Sequence, residues 1–348
     1  MLVRIFLPWL LAALTLAGVS CSSLREQPGA LTRYEYERPE MGVPFRIVLY
    51  APDQARADQA AEAAFRRVQA LNDIMSDYDA ESELSKLSRS SGQGRQVRVS
   101  ADLWVVLERA QAMAERSDGA FDITVGPCVN LWRRARRQHE LPDPERLAQA
   151  RRAVGYRLVR LSPKEHAVEL LAPGMRLDLG GIAKGYAVDQ ALLTLEGWGV
   201  NRALIEGGGD MRVGQAPPGK PGWRIELAPL DVTNPPPARF LLLENAAIST
   251  SSDLYQRLEI GGKRYSHIVD PRTGIGLTNH CLVNVIARQG ITADSLTKVV
   301  SVLGPERGLK VIAATPGAAA RLMQDPGGKL ESYESSRFKR YYSGSPSK

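Results

Sequence analysis

Apolar residues spaced three or four positions apart mark the helices of this chain. One such stripe runs from the capping residue Asp53 to Met75, and a second follows the capping residue Ser100. A third stripe covers residues 182–192, directly after two glycines, and Thr292 is placed to cap a fourth. We expect a helix with a buried face at each of these positions.

Short apolar stretches bounded by glycine or proline predict strands. The predicted strands are residues 43–50, 119–127, 156–161, 167–171, 177–179, 203–213 (two strands around a glycine bend), 254–260, 263–269 and 282–287. These strands and the helices do not alternate strictly along the chain. The pattern therefore favours an α+β fold, with mixed or antiparallel sheets and packed helices.

The first 21 residues differ from the rest. Arg4 precedes an apolar run over residues 5–19 that is short for a membrane span, and small residues then lead to Cys21. This is the pattern of a bacterial lipoprotein signal in which Cys21 is acylated; a plain secretory signal and an uncleaved anchor are the alternatives. We expect residues 22–40 to form a flexible tether and residues 336–348 to form a C-terminal tail.

Composition and charge narrow the class of protein. With 44% hydrophobic and 24% charged residues, the 348-residue chain is globular. Cys128 and Cys281 lie far apart among apolar neighbours, so we expect buried thiols rather than a disulfide or a metal site. The net charge of +7 owes much to arginines between residues 133 and 152. We interpret these arginines as a solvated basic face, with contact to anionic lipid as the alternative. Nucleic acid is not an expected partner of an exported protein.

The stretch around Gly180 and Gly181 is the strongest candidate for chemistry. The pattern predicts a short strand holding Asp178, a glycine turn and a helix that carries Lys184. A helix start opened by glycine favours an anion such as phosphate, and Lys184 adds a positive charge there. An ordinary strand-to-helix turn with a surface lysine is the alternative.

Other polar residues at predicted strand ends and helix starts extend this candidate site. His267 and Asp270 stand at the end of a predicted strand, where they could transfer a proton or contact phosphate, although a structural hydrogen bond is the simpler role for His267. Oxygen donors dominate, and no cysteine–histidine cluster has zinc spacing. This donor chemistry suits Mg²⁺ together with a phosphate ligand. No P-loop or nucleophile-elbow motif occurs.

Several of these motifs occur together in one known family. Their order resembles that of the FAD:protein FMN transferases of the ApbE type, over roughly residues 40–315. The segments that carry the resemblance are Met41-Gly42, Met75-Ser-x-Tyr78, Gly119-x-Phe-Asp-Ile-Thr124, Asp178-Leu-Gly-Gly-Ile-Ala-Lys-Gly185, Gly208-Gly-Asp210, Thr250-Ser251, Ser266-His-Ile-Val-Asp-Pro-Arg-Thr-Gly274 and Ala293-Asp294.

The resemblance implies a T-fold-like α+β domain over residues 41–335, together with a set of site residues. Residues matching FAD contacts of the family are Met41, Tyr78, Ala120, Phe121, Asp122, Asp178, Lys184 and Ile268. The resemblance also implies a Mg²⁺ ion held by the carbonyl of Gly181, by Asp294 and by a hydroxyl four residues later. Lys298 occupies that last position, so Thr297 is the remaining hydroxyl candidate.

The activity that the resemblance implies is transfer of FMN from FAD to a Ser or Thr hydroxyl of an acceptor protein, with release of AMP. His267, Asp270 and Lys184 are the candidate catalytic residues. A metal-dependent FAD pyrophosphatase and a non-catalytic periplasmic FAD-binding lipoprotein are the alternatives. The resemblance also implies a membrane or periplasmic electron-transfer protein as acceptor. We expect a lipid anchor on the periplasmic face, with a mild preference for the outer membrane because Ser22 follows the cysteine.

Overall fold

The computed structural model describes residues 30–343, except residues 234 and 255. The expected signal and Cys21 lie outside this part of the chain. None of the helices in the described part is long and apolar enough to cross a membrane.

The strands of the described residues form one large sheet and several small ones. In chain order they are β1 Thr32–Glu40, β2 Val43–Ala51, β3 Val97–Arg98, β4 Val159–Ser162, β5 Ala167–Leu170, β6 Ala203–Gly207, β7 Asp210–Val213, β8 Trp223–Leu227, β9 Arg239–Leu243, β10 Ala246–Ser252, β11 Arg257–Ile260, β12 Lys263–Ser266, β13 Val269–Asp270, β14 Ile275–Gly276, β15 Cys281–Ala287, β16 Ala319–Gln324 and β17 Glu331–Glu334. Eight of them form the large sheet, in the order β1-β2-β6-β7-β10-β15-β16-β17, with neighbours antiparallel throughout.

The α-helices of the described residues are α1 Gln54–Met75, α2 Glu83–Ser88, α3 Ala101–Arg116, α4 Gly126–Gln138, α5 Pro144–Arg151, α6 Ala183–Gly197 and α7 Gly290–Ala313. Four of these seven helices, α1, α3, α6 and α7, lie where an apolar stripe predicted a helix. Asp53 and Ser100 cap α1 and α3 by accepting the backbone N–H groups of Arg56 and Leu103, as predicted. The α+β expectation is confirmed.

The large sheet buries a different core on each face, because side chains alternate along a strand. Ile47 of β2 and Val285 of β15 point into the main core with α1, α3, α6 and α7. Val48 and Ile286, one position further along these strands, point to the opposite face, where the β8–β9 hairpin covers them. This arrangement places α6 and α7 side by side over the centre of the sheet.

Two terminal expectations were wrong. Instead of a tether, residues 32–40 form the edge strand β1, which pairs with β2 along its whole length. Its residues Tyr34 and Tyr36 pack against the main core. Near the other end, Phe338 is fully buried in the second core, so the predicted tail is part of the fold at this point.

Three internal expectations also need correction. Residues 119–127 are not a strand: residues 119–125 are mostly turns and bends, and Gly126 and Pro127 begin α4. Residues 177–179 form a loop instead of a strand; a single parallel bridge joins Val125 to Arg176 just before them, and Asp178 N donates to the Ile123 carbonyl. Finally, α7 begins at Gly290, so Thr292 does not cap it. The prediction of unpaired thiols is confirmed, since Cys128 and Cys281 are free and buried.

Candidate active site

The site is centred on the point where the starts of α6 and α7 meet. A Cβ atom at Gly185 would overlap the Gly290 carbonyl and lie 2.7 Å from the Asp294 Cβ atom. The two helices can therefore approach this closely only because both positions are glycine. Asp189 of α6 accepts the N–H groups of Gly290 and Ile291 at 2.7 and 3.0 Å. A side chain of α6 thus caps α7 and fixes the crossing.

Lys184, on the first turn of α6, is held by an acid from the β6–β7 hairpin. Its Nζ atom lies 2.6 Å from Asp210 Oδ2. The glycine bend at Gly208 and Gly209, both at positive φ, brings Asp210 to this place. Ser249 of β10 donates to the other oxygen of Asp210 at 2.6 Å. Lys184 is therefore an anchored, largely buried cation, and not the surface lysine of the alternative interpretation.

A second lysine pairs with the acid of α7. Lys298 Nζ lies 2.7 Å from Asp294 Oδ1 and 3.1 Å from Thr297 Oγ1. Gly185 N donates to Asp294 Oδ2 at 3.1 Å, so both carboxylate oxygens of Asp294 are occupied. Thr297 donates its own hydroxyl proton to the backbone carbonyl of Asp294. We call Lys184, Asp210, Asp294 and Lys298 together the lysine quartet.

Charges within the lysine quartet control its protonation. Burial works against the charged form of Lys184, but Asp210 and Asp294 raise its pKa above the ordinary value. Burial likewise disfavours the Asp294 carboxylate, yet Lys298 and Lys184 bring the pKa of Asp294 below its usual range. Burial and Asp294 raise the pKa of Asp210. The quartet pairs two ammonium groups with two carboxylates and is formally neutral.

The expected Mg²⁺ ligands do not fit a metal ion as these side chains are placed. The Lys298 ammonium donates to the Asp294 carboxylate, at the position that a divalent cation would need to occupy. The Thr297 hydroxyl accepts from Lys298 and donates to the helix backbone. The arrangement supplies positive charge through ammonium groups instead.

Asp178 belongs to a separate ion-pair cluster, which sequence reasoning missed. Arg133 of α4 donates to Asp178 at 2.8 Å and also to Asp77; we call these three residues the arginine bridge. Burial and the neighbouring Asp77 raise the pKa of Asp178, against the effect of Arg133. Gly180 N donates to Asp178 at 2.8 Å. An exposed basic face was expected here, and Arg133 instead has only 15% of its side chain exposed.

Tyr78 places an aromatic ring over the arginine bridge. The Arg133 guanidinium lies 4.3 Å from its ring centre, and the residue is 79% exposed. An exposed ring on a fixed cation is able to stack on a planar ligand. This geometry is compatible with the expected flavin contact.

The other expected contact residues Ala120, Phe121, Asp122 and Ile268 are all buried. Phe121 lies beside Gly181: a Cβ atom there would be 3.3 Å from its ring. Asp122 accepts the N–H and hydroxyl of Thr124, and burial raises the pKa of this carboxyl group.

Met41 lies in the turn between β1 and β2. Its φ of 50° is in the left-handed region, and its side chain packs against the main core. The following Gly42 also has a positive φ, of 76°. These two residues therefore form the turn that reverses the chain direction at the edge of the sheet.

His267 is half-buried and close to the cations of the site. Burial, together with Lys298, Arg136 and Lys184, lowers its pKa to about 4. Its Nδ1 atom lies 3.2 Å from the Gln256 carbonyl. At neutral pH the ring is therefore uncharged, which is the form that accepts a proton.

Asp270 has its carboxylate engaged elsewhere. Both of its oxygens bind the Arg272 side chain, at 2.9 and 2.8 Å, and one also accepts the Arg272 N–H. The turn that follows packs on α4, because Trp132 Nε1 donates to the Gly274 carbonyl at 2.8 Å. These contacts place Asp270 in the turn, away from a role as a free base.

The fold and the quartet together define an α+β protein in which two ammonium groups, each paired with a carboxylate, lie at a glycine-opened helix start. The sequence profile of the ApbE family matches residues 41–322, and the chain belongs to this family. It is 34% identical to an FAD:protein FMN transferase of Haemophilus influenzae, over 69% of this chain and 71% of that protein. The FAD:protein FMN transferase of Vibrio cholerae is 32% identical over 88% and 91% of the two chains.

Solved structures show the same similarity. The flavin transferase ApbE from Vibrio cholerae superposes with a TM-score of 0.80 at 28% identity, covering 89% of this chain and 99% of that one. The ApbE protein of Thermotoga maritima gives 0.79 at 30% identity, with the same coverage.

Proposed function

We propose that this chain transfers FMN from FAD to a hydroxyl group of an acceptor protein and releases AMP. The observation that carries the proposal is the lysine quartet at the start of α6, where two ammonium groups are held in place beside a helix N-terminus. Such a site suits a diphosphate, because fixed cations and a helix start both favour phosphate oxygens. Family membership and the names of the relatives support the same activity.

The proposed reaction is a phosphoryl transfer. The acceptor oxygen forms a bond to the phosphorus on the FMN side, and the bond from this phosphorus to the bridging oxygen breaks. AMP departs with the bridging oxygen. The residues position the diphosphate and neutralise the charge that develops on it, which is the main source of catalysis in this class of reaction.

Each part of the site has a proposed role. Lys184 and Lys298 face the phosphate oxygens, and Tyr78 stacks on a ring of FAD. His267 takes the proton of the acceptor hydroxyl, because its depressed pKa keeps the ring neutral at physiological pH. The resemblance implies Mg²⁺ at Asp294, but we propose no role for the ion there because Lys298 already pairs with that carboxylate.

The direct test is incubation of the full chain with FAD and a candidate electron-transfer domain that has a threonine acceptor. We expect the mass of the acceptor to increase by one FMN group while one AMP appears for each acceptor modified. The matched control is the same domain with the threonine replaced by valine, which should stay unmodified. Free FMN and AMP at the full rate without any acceptor would instead identify a pyrophosphatase, and absence of both products would contradict the proposal.

We further propose that Cys21 carries a lipid anchor on the periplasmic face of a bacterial membrane, and that the acceptor is an electron-transfer protein of this compartment. The support is the sequence pattern around Cys21. In a Cys21→Ser variant we expect the protein to leave the membrane fraction of fractionated cells. An unchanged distribution would exclude lipidation as the anchor.

A further inference from the structure

The position of Lys298 has a consequence beyond the proposed activity. Lys298 follows Asp294 by one helical turn on α7, so its side chain reaches back along the helix to the Asp294 carboxylate at 2.7 Å. Asp294 is completely buried. A buried carboxylate needs a cation or several hydrogen-bond donors, and Lys298 together with Gly185 N supplies both.

The stem of Lys298 also fills the space next to the glycine turn. A Cβ atom on Gly181 would lie 3.2 Å from Lys298 Cγ and 3.4 Å from Lys298 Cε. The ammonium is therefore bounded by Asp294, Thr297 and the turn at Gly181, the three positions from which a divalent cation was expected to take its ligands. A metal ion and the ammonium group cannot share this space.

The ammonium group keeps a face toward the site. The side chains of Lys298 and Lys184 remain 18% and 20% exposed, although their partners Asp294 and Asp210 are almost fully buried. An ammonium has three donors, and Asp294 and Thr297 use two of those of Lys298. One donor remains for a ligand oxygen.

We propose that Lys298 Nζ takes the place of a divalent cation, so that this chain binds the diphosphate of FAD and transfers FMN without a metal. The inference rests on the proposed function and specifies its chemistry. Lys184 and Lys298 then supply the positive charge that a metal ion would share with one lysine.

The first test compares FAD binding by the full chain in EDTA with binding in Mg²⁺, followed by the change in FAD fluorescence. We expect affinities that agree within about twofold, because a ligand and a metal with no coupling leave each other's binding unchanged. FAD binding that disappears in EDTA and returns with Mg²⁺ would overturn the inference but leave the proposed function standing. Failure to bind FAD under both conditions would reject the proposed function as well.

The second test uses Lys298→Thr, which removes the ammonium and restores a hydroxyl four residues after Asp294. In EDTA we expect this variant to bind FAD about tenfold or more weakly, the loss of a charge-assisted hydrogen bond. Mg²⁺ should restore its affinity and raise its melting temperature. Lys310→Thr, which changes an exposed lysine of the same helix, is the matched control and should behave as the parent chain does.

A third measurement is independent of FAD. Mn²⁺ alone, followed by its electron paramagnetic resonance signal, should bind to Lys298→Thr and not to the parent chain at this site. Binding of one Mn²⁺ by the parent chain, lost on Asp294→Asn, would contradict the inference. Because the comparison in the parent chain needs no substitution, misfolding of the variant would not remove the test.

Discussion

The lysine quartet and the arginine bridge both bury carboxylates, but they balance charge differently. In the quartet each carboxylate has its own ammonium group: Asp210 pairs with Lys184, and Asp294 pairs with Lys298. In the bridge, the well-buried guanidinium of Arg133 pairs with the carboxylates of both Asp77 and Asp178. A second arginine, Arg176, lies 3.9 Å from Asp77, and its side chain is 41% exposed.

This difference gives the two clusters a different charge balance, although each contains a carboxyl group whose pKa is raised by burial and by a neighbouring carboxylate. Burial and Asp77 raise the pKa of Asp178, so protonation relieves the excess negative charge of the bridge. The quartet has no such excess, and losing one ammonium leaves a buried carboxylate unpaired. We therefore expect the quartet to respond more strongly to substitution than the bridge.

The largest effect is expected for Lys184→Met. It leaves Asp210 buried without its cation, so the free energy of unfolding in urea should fall by about 3–5 kcal/mol at neutral pH. Transfer should fall by about 10³-fold, since a phosphate-facing cation is lost. The double variant Lys184→Met with Asp210→Leu should regain much of the stability, and Lys310→Met is the exposed control. A loss below about 1 kcal/mol would show that the quartet is not a buried ion-pair cluster.

A smaller, pH-dependent effect is expected for Arg133→Met. At neutral pH the variant should lose about 2 kcal/mol of unfolding free energy, because two buried carboxylates lose their shared cation. Without Arg133 the pKa of Asp178, already raised by burial and Asp77, rises further. The native variant therefore takes up a proton as the pH falls, and the loss of unfolding free energy becomes smaller toward pH 5. Urea unfolding across this pH range tests the effect, with the exposed Arg134→Met as control. A loss that does not vary with pH would contradict it.

For His267→Gln we expect a selective loss of activity. FAD binding should persist while transfer falls by about 10²-fold, the usual size of a proton-transfer contribution. The His267 pKa of about 4 lies below the unfolded value of 6.5, so in the parent chain this residue makes stability rise as the pH increases between these values. The variant should show a shallower rise in urea unfolding. Unchanged transfer would remove His267 from the mechanism.

The smallest effect is expected for Asp270→Asn. The Arg272 side chain that binds Asp270 is 39% exposed, and such a pair contributes little to stability, about 1 kcal/mol or less. Asparagine keeps an oxygen to accept the Arg272 N–H, so transfer should change by less than about threefold. A fall as large as that of His267→Gln would instead place Asp270 in proton transfer.

Local signals predicted the helices well, and the errors arise where structure depends on distant contacts. Asp53 and Ser100 cap the helices that follow them directly, so the sequence contains the whole signal. The cap of α7 comes from Asp189, 101 residues before Gly290, and no pattern near Thr292 records it. Only the contact between α6 and α7 could reveal this cap.

Alternation of polar and apolar residues indicated burial but not strand pairing. Leu177 and Leu179 are both buried, as their spacing around Asp178 suggests, yet the segment has no partner strand beyond one bridge. Conversely, Tyr34 and Tyr36 alternate in a polar segment and belong to a real strand. Their spacing was the signal that could have found β1.

The contacts of the site likewise divide into local ones, which the sequence reveals, and distant ones, which it does not. The pairing of Lys298 with Asp294 lies within one helical turn and is readable from the sequence. The contacts of Asp210 with Ser249 and of Arg133 with Asp178 join residues far apart in the chain. These contacts depend on the order of the strands in the sheet and on the position of α4, which local sequence patterns do not give.

The bare contact between Gly185 and Gly290 sets the spacing of the whole charged site. Because main chain meets main chain there, no side chain at the contact can change rotamer to relieve an overlap between α6 and α7. One added methyl group at either glycine would act as a wedge and move the carboxylate of α7 away from the lysine of α6. The spacing of the four charged side chains thus depends on two residues that have no side chain.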